Sequence, residues 1–261
     1  MSESIRAVDR ALDILLCFTR QTPELTMTQI AEQVGMHKST VHRLLGTLEK
    51  KRFVDRDQVT GIYRPGIRLL QVAYLSLEHN DLRRLAAPFL RELGGQSLET
   101  VDLAVLDDNE VIYLDVIESP QRVKLAAAIG MRLPTYCTAS GKAILAYLPE
   151  ADVKRILMLG MPRHTEHTLV TPEALFKNLR QVKDQGVAFS EQEYEEGINA
   201  IGVPILDLNR LPIASVAVAG PAYRLTRARM LEICPFIIST ANSIAEKLNL
   251  SLRARTSDLT V

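Results

Sequence analysis

Cysteine is scarce in this chain of 261 residues: there are three, Cys17, Cys137 and Cys234, far apart and without a CxxC pair. That spacing excludes a disulfide framework and offers no zinc knuckle. Cys17 and Cys234 fall in apolar helical patterns, where a thiol is expected to be a small buried hydrophobe. Long hydrophobic runs are lacking too. No stretch approaches the ~18 apolar residues of a membrane span. The segment MSESIRAVDRALDILLCF carries acidic residues where a signal peptide needs an unbroken apolar core. A soluble cytoplasmic protein with no membrane partner is the expectation. Net charge is also lacking, with 31 basic residues against 31 acidic ones, so only its distribution informs.

That distribution is uneven. Residues 37–68 hold eight basic side chains (Lys38, Arg43, Lys50, Lys51, Arg52, Arg56, Arg64, Arg68) against three acidic ones (Glu49, Asp55, Asp57). Such an excess faces either a polyanion or plain solvent. The chain is long enough for one large domain or two ordinary ones, at ~100–200 residues each.

Periodicity divides it. Val8, Leu12, Leu15 and Leu16 stand at helical spacing, which predicts an amphipathic helix ending near Arg20. Thr26 or Thr28 can cap a short helix bearing Ile30, Ala31 and Val34, which Gly35 interrupts. A helix from about His37 to Lys51 follows, with Val41, Leu44, Leu45 and Leu48 on one face. FVDRDQVTGIYR predicts a small hairpin, and after Pro65-Gly66 the residues Ile67, Leu70, Ala73, Tyr74 and Leu77 predict another amphipathic helix, ending near His79-Asn80. Residues 81–97 read as helical, and from Thr100 the texture becomes β-rich. TVDLAVL and VIYLDVI flank a DDNE turn, VKLAAAI and the segment 133–136 follow, and VAFSEQE, AIGVPILDL and PIASVAVAG are further strand candidates. Helices are expected at 139–148, 152–159, 172–186 and about 226–248. Strands grouped with flanking helices predict an α+β fold whose second half is a sensor-like α/β domain.

The stretch MTQIAEQVGMHKSTVHRLLG, residues 27–46, has the pattern of a helix-turn-helix. Two helices crossing steeply on a short turn need a small residue in the first (Ala31) and a turn residue able to take positive φ (Gly35). They also need apolar contacts, here Ile30, Val34, Met36, Val41 and Leu44. The polar remainder of the second helix, His37, Lys38, Ser39, Thr40, His42, Arg43 and Thr47, consists of groups suited to phosphates and base edges in a major groove. Arg43 is the best placed for a guanine. Thr28, Lys50, and Arg56 and Arg64 of the hairpin, which reads as a wing, complete the expected DNA-contacting set. A two-fold dimer would set two such helices about one DNA turn apart, ~34 Å, so a palindromic operator on double-stranded DNA is expected.

The order AVDRALDIL, LTMTQIAEQVGMHKSTVHRLLGTLEKKRFV, YRPGIRLLQVA resembles the IclR family of bacterial transcription regulators, as do LPTYCTASGKAILAYLP and EQEYEEGINAIGVPILD in the second half. The likeness runs from about residue 5 to residue 250. It implies a winged helix-turn-helix (5–66), a linker helix (67–80), a GAF-like effector-binding domain (81–250) and a tail (251–261). It further implies a homodimer or homotetramer that controls a catabolic operon, most often as a repressor, in response to a small-molecule effector. The resemblance places the effector pocket at Gly130, Met131, Thr138, Ala139, Ser140, Gly141, Ser190, Ala200, Ala217 and Ala219. Free backbone N–H groups at Ser140-Gly141 would cradle a carboxylate there. Members that bind small polar acids often carry Cys at the position of Ala200 and Ser at those of Ala217 and Ala219. Three alanines instead point to a more apolar acid, aromatic ones included. Close sheet packing would explain the same small residues, and a sensor-like domain without ligand that acts through protein partners is the competing reading.

Enzymatic chemistry finds no footing. Cys137 near Ser140 and Lys142 has no base and orienter beside it in a GxSxG-like context, and SGKA lacks the earlier glycine of a phosphate loop, Tyr136 standing in its place. His164 and His167 have metal-like spacing but lie in a loop without further ligands, so no metal and no cofactor is expected.

Overall fold

A computed structural model describes residues 5–19, 21–78 and 80–258, with side chains to residue 250. The chain forms two compact units, Met1–His79 and Asn80–Val261. Arg20 and His79, at which two expected helices end, lie outside the described residues, as do residues 259–261.

The first unit contains α1 (Arg6–Leu16), α2 (Met27–Gln33), α3 (Lys38–Lys50), the hairpin β1 (Val54–Arg56) and β2 (Tyr63–Pro65), and α4 (Ile67–Glu78). Thr26, not Thr28, caps α2. Its Oγ1 accepts from Gln29 N at 3.3 Å while Gln29 Oε1 accepts from Thr26 N at 2.8 Å, a reciprocal box that satisfies two otherwise orphaned donors. Gly35 turns the chain at φ +60°, a conformation that an L side chain would strain. Ile14, Leu25, Ile30, Ala31, Val41, Leu45, Leu48, Val54 and Tyr63 make one core, with Leu44 only half-buried at its edge.

Two apolar faces depart from expectation. On α1 only Ile14 is buried, while Val8, Leu12 and Leu16 are exposed. The apolar residues of α1 wrap more than one face of the helix, and the core takes the side of Ala11, Ile14 and Leu15. On α4 no residue is buried, and Leu70, Tyr74 and Leu75 are all more than half exposed.

The second unit contains α5 (Asp81–Ser97), β3 (Thr100–Asp107), β4 (Glu110–Ile117), β5 (Arg132–Pro134), α6 (Ala139–Leu145), α7 (Glu150–Leu157), α8 (Pro172–Gln185), β6 (Ala188–Glu191), β7 (Ile198–Leu206), β8 (Pro212–Pro221) and α9 (Arg227–Asp258). Its six strands form one antiparallel sheet, in the order β5-β4-β3-β8-β7-β6. Antiparallel pairing throughout makes the unit α+β. VKLAAAI is not a strand, and α9 continues to Asp258, so the backbone of residues 251–258 is helical where a tail was expected.

Side chains alternate across the sheet. Val101, Leu103, Ile201, Val203, Val216 and Val218 point to one face and pack with Leu90 and Leu93 of α5 and Met230, Ile233 and Ile237 of α9. On the other face Asp102, Ala217 and Gly202 lie in one row across three strands, with Ala219, Ala200 and Ser190 in a parallel row. That face is small because α6 must approach it. A Cβ at Gly202 would stand 2.7 Å from the carbonyl carbon of Ala139, so only glycine lets the first turn of α6 rest on β7.

Candidate functional site

The exposed side of α3 begins at His37, the residue that caps it. The ring Nδ1 is 2.8 Å from Ser39 Oγ and accepts from Ser39 N at 3.4 Å, which fixes the imidazole over the first turn. Because Val41, Leu45 and Leu48 face inward, helical geometry turns Lys38, Ser39, His42, Arg43, Thr47 and Lys50 to solvent on the opposite side. Thr40 and Thr28 are half-buried between the two faces. Thr47 Oγ1 donates back to Arg43 O at 3.1 Å. Arg43 itself has no ion-pair partner among the described residues, so its guanidinium is available.

The wing is held by Asp57, whose Oδ1 accepts from Val59 N (2.8 Å) and Thr60 N (2.9 Å). These backbone donors hold its carboxyl below the usual range. Arg56 lies over the Tyr63 ring, 5.5 Å from its centroid. Arg64 is less free than expected, lying 3.7 Å from Asp57 and 4.0 Å from Glu24. It remains half exposed.

In the second unit a cavity opens between α6 and the small-residue face of the sheet. The centres of water-sized molecules can occupy about 50 Å³ of it. Met131, Thr138, Ala139, Ser140, Ser190, Ala200, Ala217 and Ala219 of the expected effector-binding set line it. Gly130 and Gly141 do not. Gly130 sits at an exposed turn with φ +81°, its N–H bonded to Tyr113 O. Gly141 is on the far side of α6, where its missing Cβ lets the helix press on the Thr135 backbone.

The carboxylate cradle also changes. Gly141 N is taken by the capping hydroxyl of Thr138 at 3.2 Å, and Thr138 Oγ1 in turn donates to Pro134 O at 2.7 Å. The hydroxyl of Ser140 is turned to Asp102, donating to Oδ1 at 2.8 Å. Ser190 Oγ donates to Cys137 O at 2.9 Å.

Sequence reasoning missed several lining residues: Asp102, Tyr113, Leu125, Leu133, Tyr194, Glu195 and Ile198. The notable one is Asp102, 1% exposed, whose carboxyl is pushed up to about 7 by burial, against the weaker opposing pull of the Ser140 hydrogen bond. Tyr113, from β4, is buried beside it, and burial with the nearby Asp102 charge pushes its phenol up as well. The sequence carried no signal for it, because in TVDLAVL the aspartate stands at the polar position of an ordinary alternation.

Behind the cavity lies a buried ion pair. Lys142 Nζ donates to Glu193 Oε1 at 2.5 Å and to Phe189 O at 2.6 Å, with the lysine side chain wholly buried. Burial works against the charge on both, pulling Lys142 down and pushing Glu193 up. The Glu193 carbonyl accepts from Thr168 Oγ1 at 2.7 Å, so the loop of His164 and His167 serves to brace the Glu193 segment. His164 packs against Tyr194 with ring centroids 4.9 Å apart. Cys137 is buried and its thiol is pushed up to about 12, chiefly by burial, whereas Cys17 and Cys234, expected inside, are only half-buried.

Comparison with known proteins follows this division. The profile of the IclR helix-turn-helix domain matches residues 7–58, and that of the bacterial transcriptional regulator IclR C-terminal domain matches residues 74–246. The Transcriptional repressor IclR of Escherichia coli is 32% identical over 243 residues, 92% of this chain and 89% of that one. The HTH-type transcriptional regulator XynR of the same organism is 34% identical over 227 residues, 87% and 90% of the two chains. The crystal structure of a regulator of the same type from Alicyclobacillus acidocaldarius, 26% identical, superposes with a TM-score of 0.85 and covers 94% of this chain and 99% of that one. No helix among the described residues is long and apolar enough to cross a membrane.

Proposed function

This chain belongs to the IclR family of bacterial transcriptional regulators, ligand-responsive DNA-binding proteins, and from that premise we propose how its own residues carry the function. Arg43, with Lys38, Ser39, His42 and Thr47, enters the major groove, and His37, Lys50, Arg56 and Arg64 hold the phosphate backbone. The half-buried Thr28 and Thr40 flank that surface. The single observation that carries this reading is the exposed polar side of α3 set against its buried apolar one.

The operator is palindromic and the protein a homodimer or homotetramer. The exposed apolar residues of α1 and α4 support this, because a monomer leaves Leu12, Leu16, Leu70 and Tyr74 in water at a cost of roughly 25 cal/mol per Å² of apolar surface. The regulated operon is catabolic, and the protein acts as its repressor. The effector is a compact organic acid that occupies the cavity beneath α6, aromatic or otherwise rather apolar, as the Ala200, Ala217 and Ala219 shelf favours. It acts by binding the DNA-competent and DNA-incompetent arrangements with different affinity.

The test is a fluorescence anisotropy titration on the intergenic DNA upstream of the gene. Arg43→Ala is expected to weaken binding by about 1–3 kcal/mol and to relax preference at one base pair of each half-site. Lys50→Ala is expected to weaken all sequences alike and to lower the slope of log K against log salt by about one. Unchanged affinity in Arg43→Ala overturns the assignment of α3 as the reading helix.

A further inference from the structure

The cavity's polar groups are unusual for a site that accepts an acid. Among the described residues no lysine, arginine or histidine lines it. Its acidic groups are instead the carboxyls of Asp102 and Glu195, and the Asp102 side chain is buried in the wall. One oxygen of Asp102 accepts the Ser140 hydroxyl, while the other, like the Tyr113 hydroxyl, has no hydrogen-bond partner among the described residues. A buried carboxyl left half-satisfied is costly unless something in the cavity completes it. The remaining walls, including Leu125, Leu133 and Ile198, are apolar.

We propose that Asp102 and Tyr113 form a hydroxyl-reading corner, which selects effectors that carry an alcohol or phenol group on an otherwise apolar frame. A ligand hydroxyl fits both groups at once: it donates to the free oxygen of Asp102 and accepts from Tyr113. A plain carboxylate meets a second carboxyl there, and an ammonium has no lone pair to accept from the phenol. The aliphatic frame or ring then lies on the alanine shelf, where Ala217 stands directly across from Asp102 in the sheet register. This rests on the reading of the cavity as the effector site, and it assigns Asp102 as the residue that sets specificity within that site.

Calorimetry on the full chain tests it with matched pairs, benzoate against 3- and 4-hydroxybenzoate and propionate against lactate, together with phenol. In at least one pair the hydroxylated member is expected to bind about tenfold or more tightly, the worth of a hydrogen bond to a charged group. Asp102→Leu should bring that ratio close to one while leaving the unsubstituted member within about threefold. Asp102→Asn, which keeps an acceptor for Ser140 and guards against loss of folding, should lower the ratio severalfold. Equal binding within every pair that binds, or a preference that survives Asp102→Leu, overturns the proposal and leaves the acid-effector reading standing. Binding of phenol alone, lost in Asp102→Leu, supports the corner and overturns the acid. No binding by any probe overturns both.

Discussion

Replacing Asp102 by asparagine should stabilise the protein, increasingly so as the solution is made more alkaline. The carboxyl is enclosed between β3, β8 and α6, with one hydrogen bond and no cation, and burial pushes it from an ordinary 3.8 up to about 7. A carboxyl raised in the folded state is harmless while protonated. Its penalty begins as the pH climbs past the unfolded value near 4, grows towards 7, and is complete above that. Roughly three units at about 1.4 kcal/mol each give a ceiling of about 4 kcal/mol at pH 8, of which about 3 kcal/mol accrues between pH 5 and pH 8. Solvent entering the cavity lowers this. Asparagine is nearly isosteric, can still accept from Ser140 and carries no charge, so the variant's advantage should widen by up to that amount over the interval. Urea unfolding of both proteins at four pH values, followed by the second unit's circular dichroism, measures the difference, and all other titrating groups cancel in it. Stability curves that run parallel from pH 5 to pH 8 would refute the buried, ionising carboxyl and the energetic argument built on it.

Two further predictions concern the frame around the sites. Gly35→Ala should destabilise the first unit by about 1–2 kcal/mol through backbone strain alone, since nothing lies within 4 Å of the added carbon. Gly35→Asn should recover part of this, and an alanine variant as stable as the parent in thermal melts would show that the left-handed turn is not required. Lys142→Met should cost about 3–5 kcal/mol, because it strands Glu193 without its counter-charge. The double variant Lys142→Met/Glu193→Leu should regain much of the loss. If it is no more stable than the single variant, the two residues are not energetically coupled.

How far the sequence spoke for itself depended on how local each signal was. The helix-turn-helix was legible because its determinants, Ala31, Gly35 and Val41, lie within a few turns of chain and each answers a local need. Short strands such as AIGVPILDL were legible from their β-rich texture. The cavity was only partly so. Thr138 to Ser140 and the alanines could be placed through resemblance, but Gly141 could not be told from its neighbours without knowing which side of α6 meets Thr135. Asp102 sits in a strand that reads as ordinary alternation, and its meaning depends on a serine brought to it by tertiary packing. The exposed faces of α1 and α4 misled for a related reason. Apolar spacing predicts that a face will be covered, yet it does not say whether the cover belongs to the same chain.

The register that sets Asp102 beside Ala217 joins the first long strand of the second unit to the last. Such a pairing closes a large loop, and loop closure must be achieved before the contacts it enables can reward it. During synthesis, therefore, the cavity cannot exist until β8 has left the ribosome, however early α5 and the β3–β4 hairpin take shape. A chain that ends before Pro212 has the Asp102 strand and α6 but lacks the central strand that carries Ala217 and Ala219. Effector binding in this cavity, as proposed, then needs a finished second unit, and by mass action it favours chains that have completed the central pairing over those that have not. If the cavity is the effector site proposed above, the small molecule also preserves the folded supply of its own sensor.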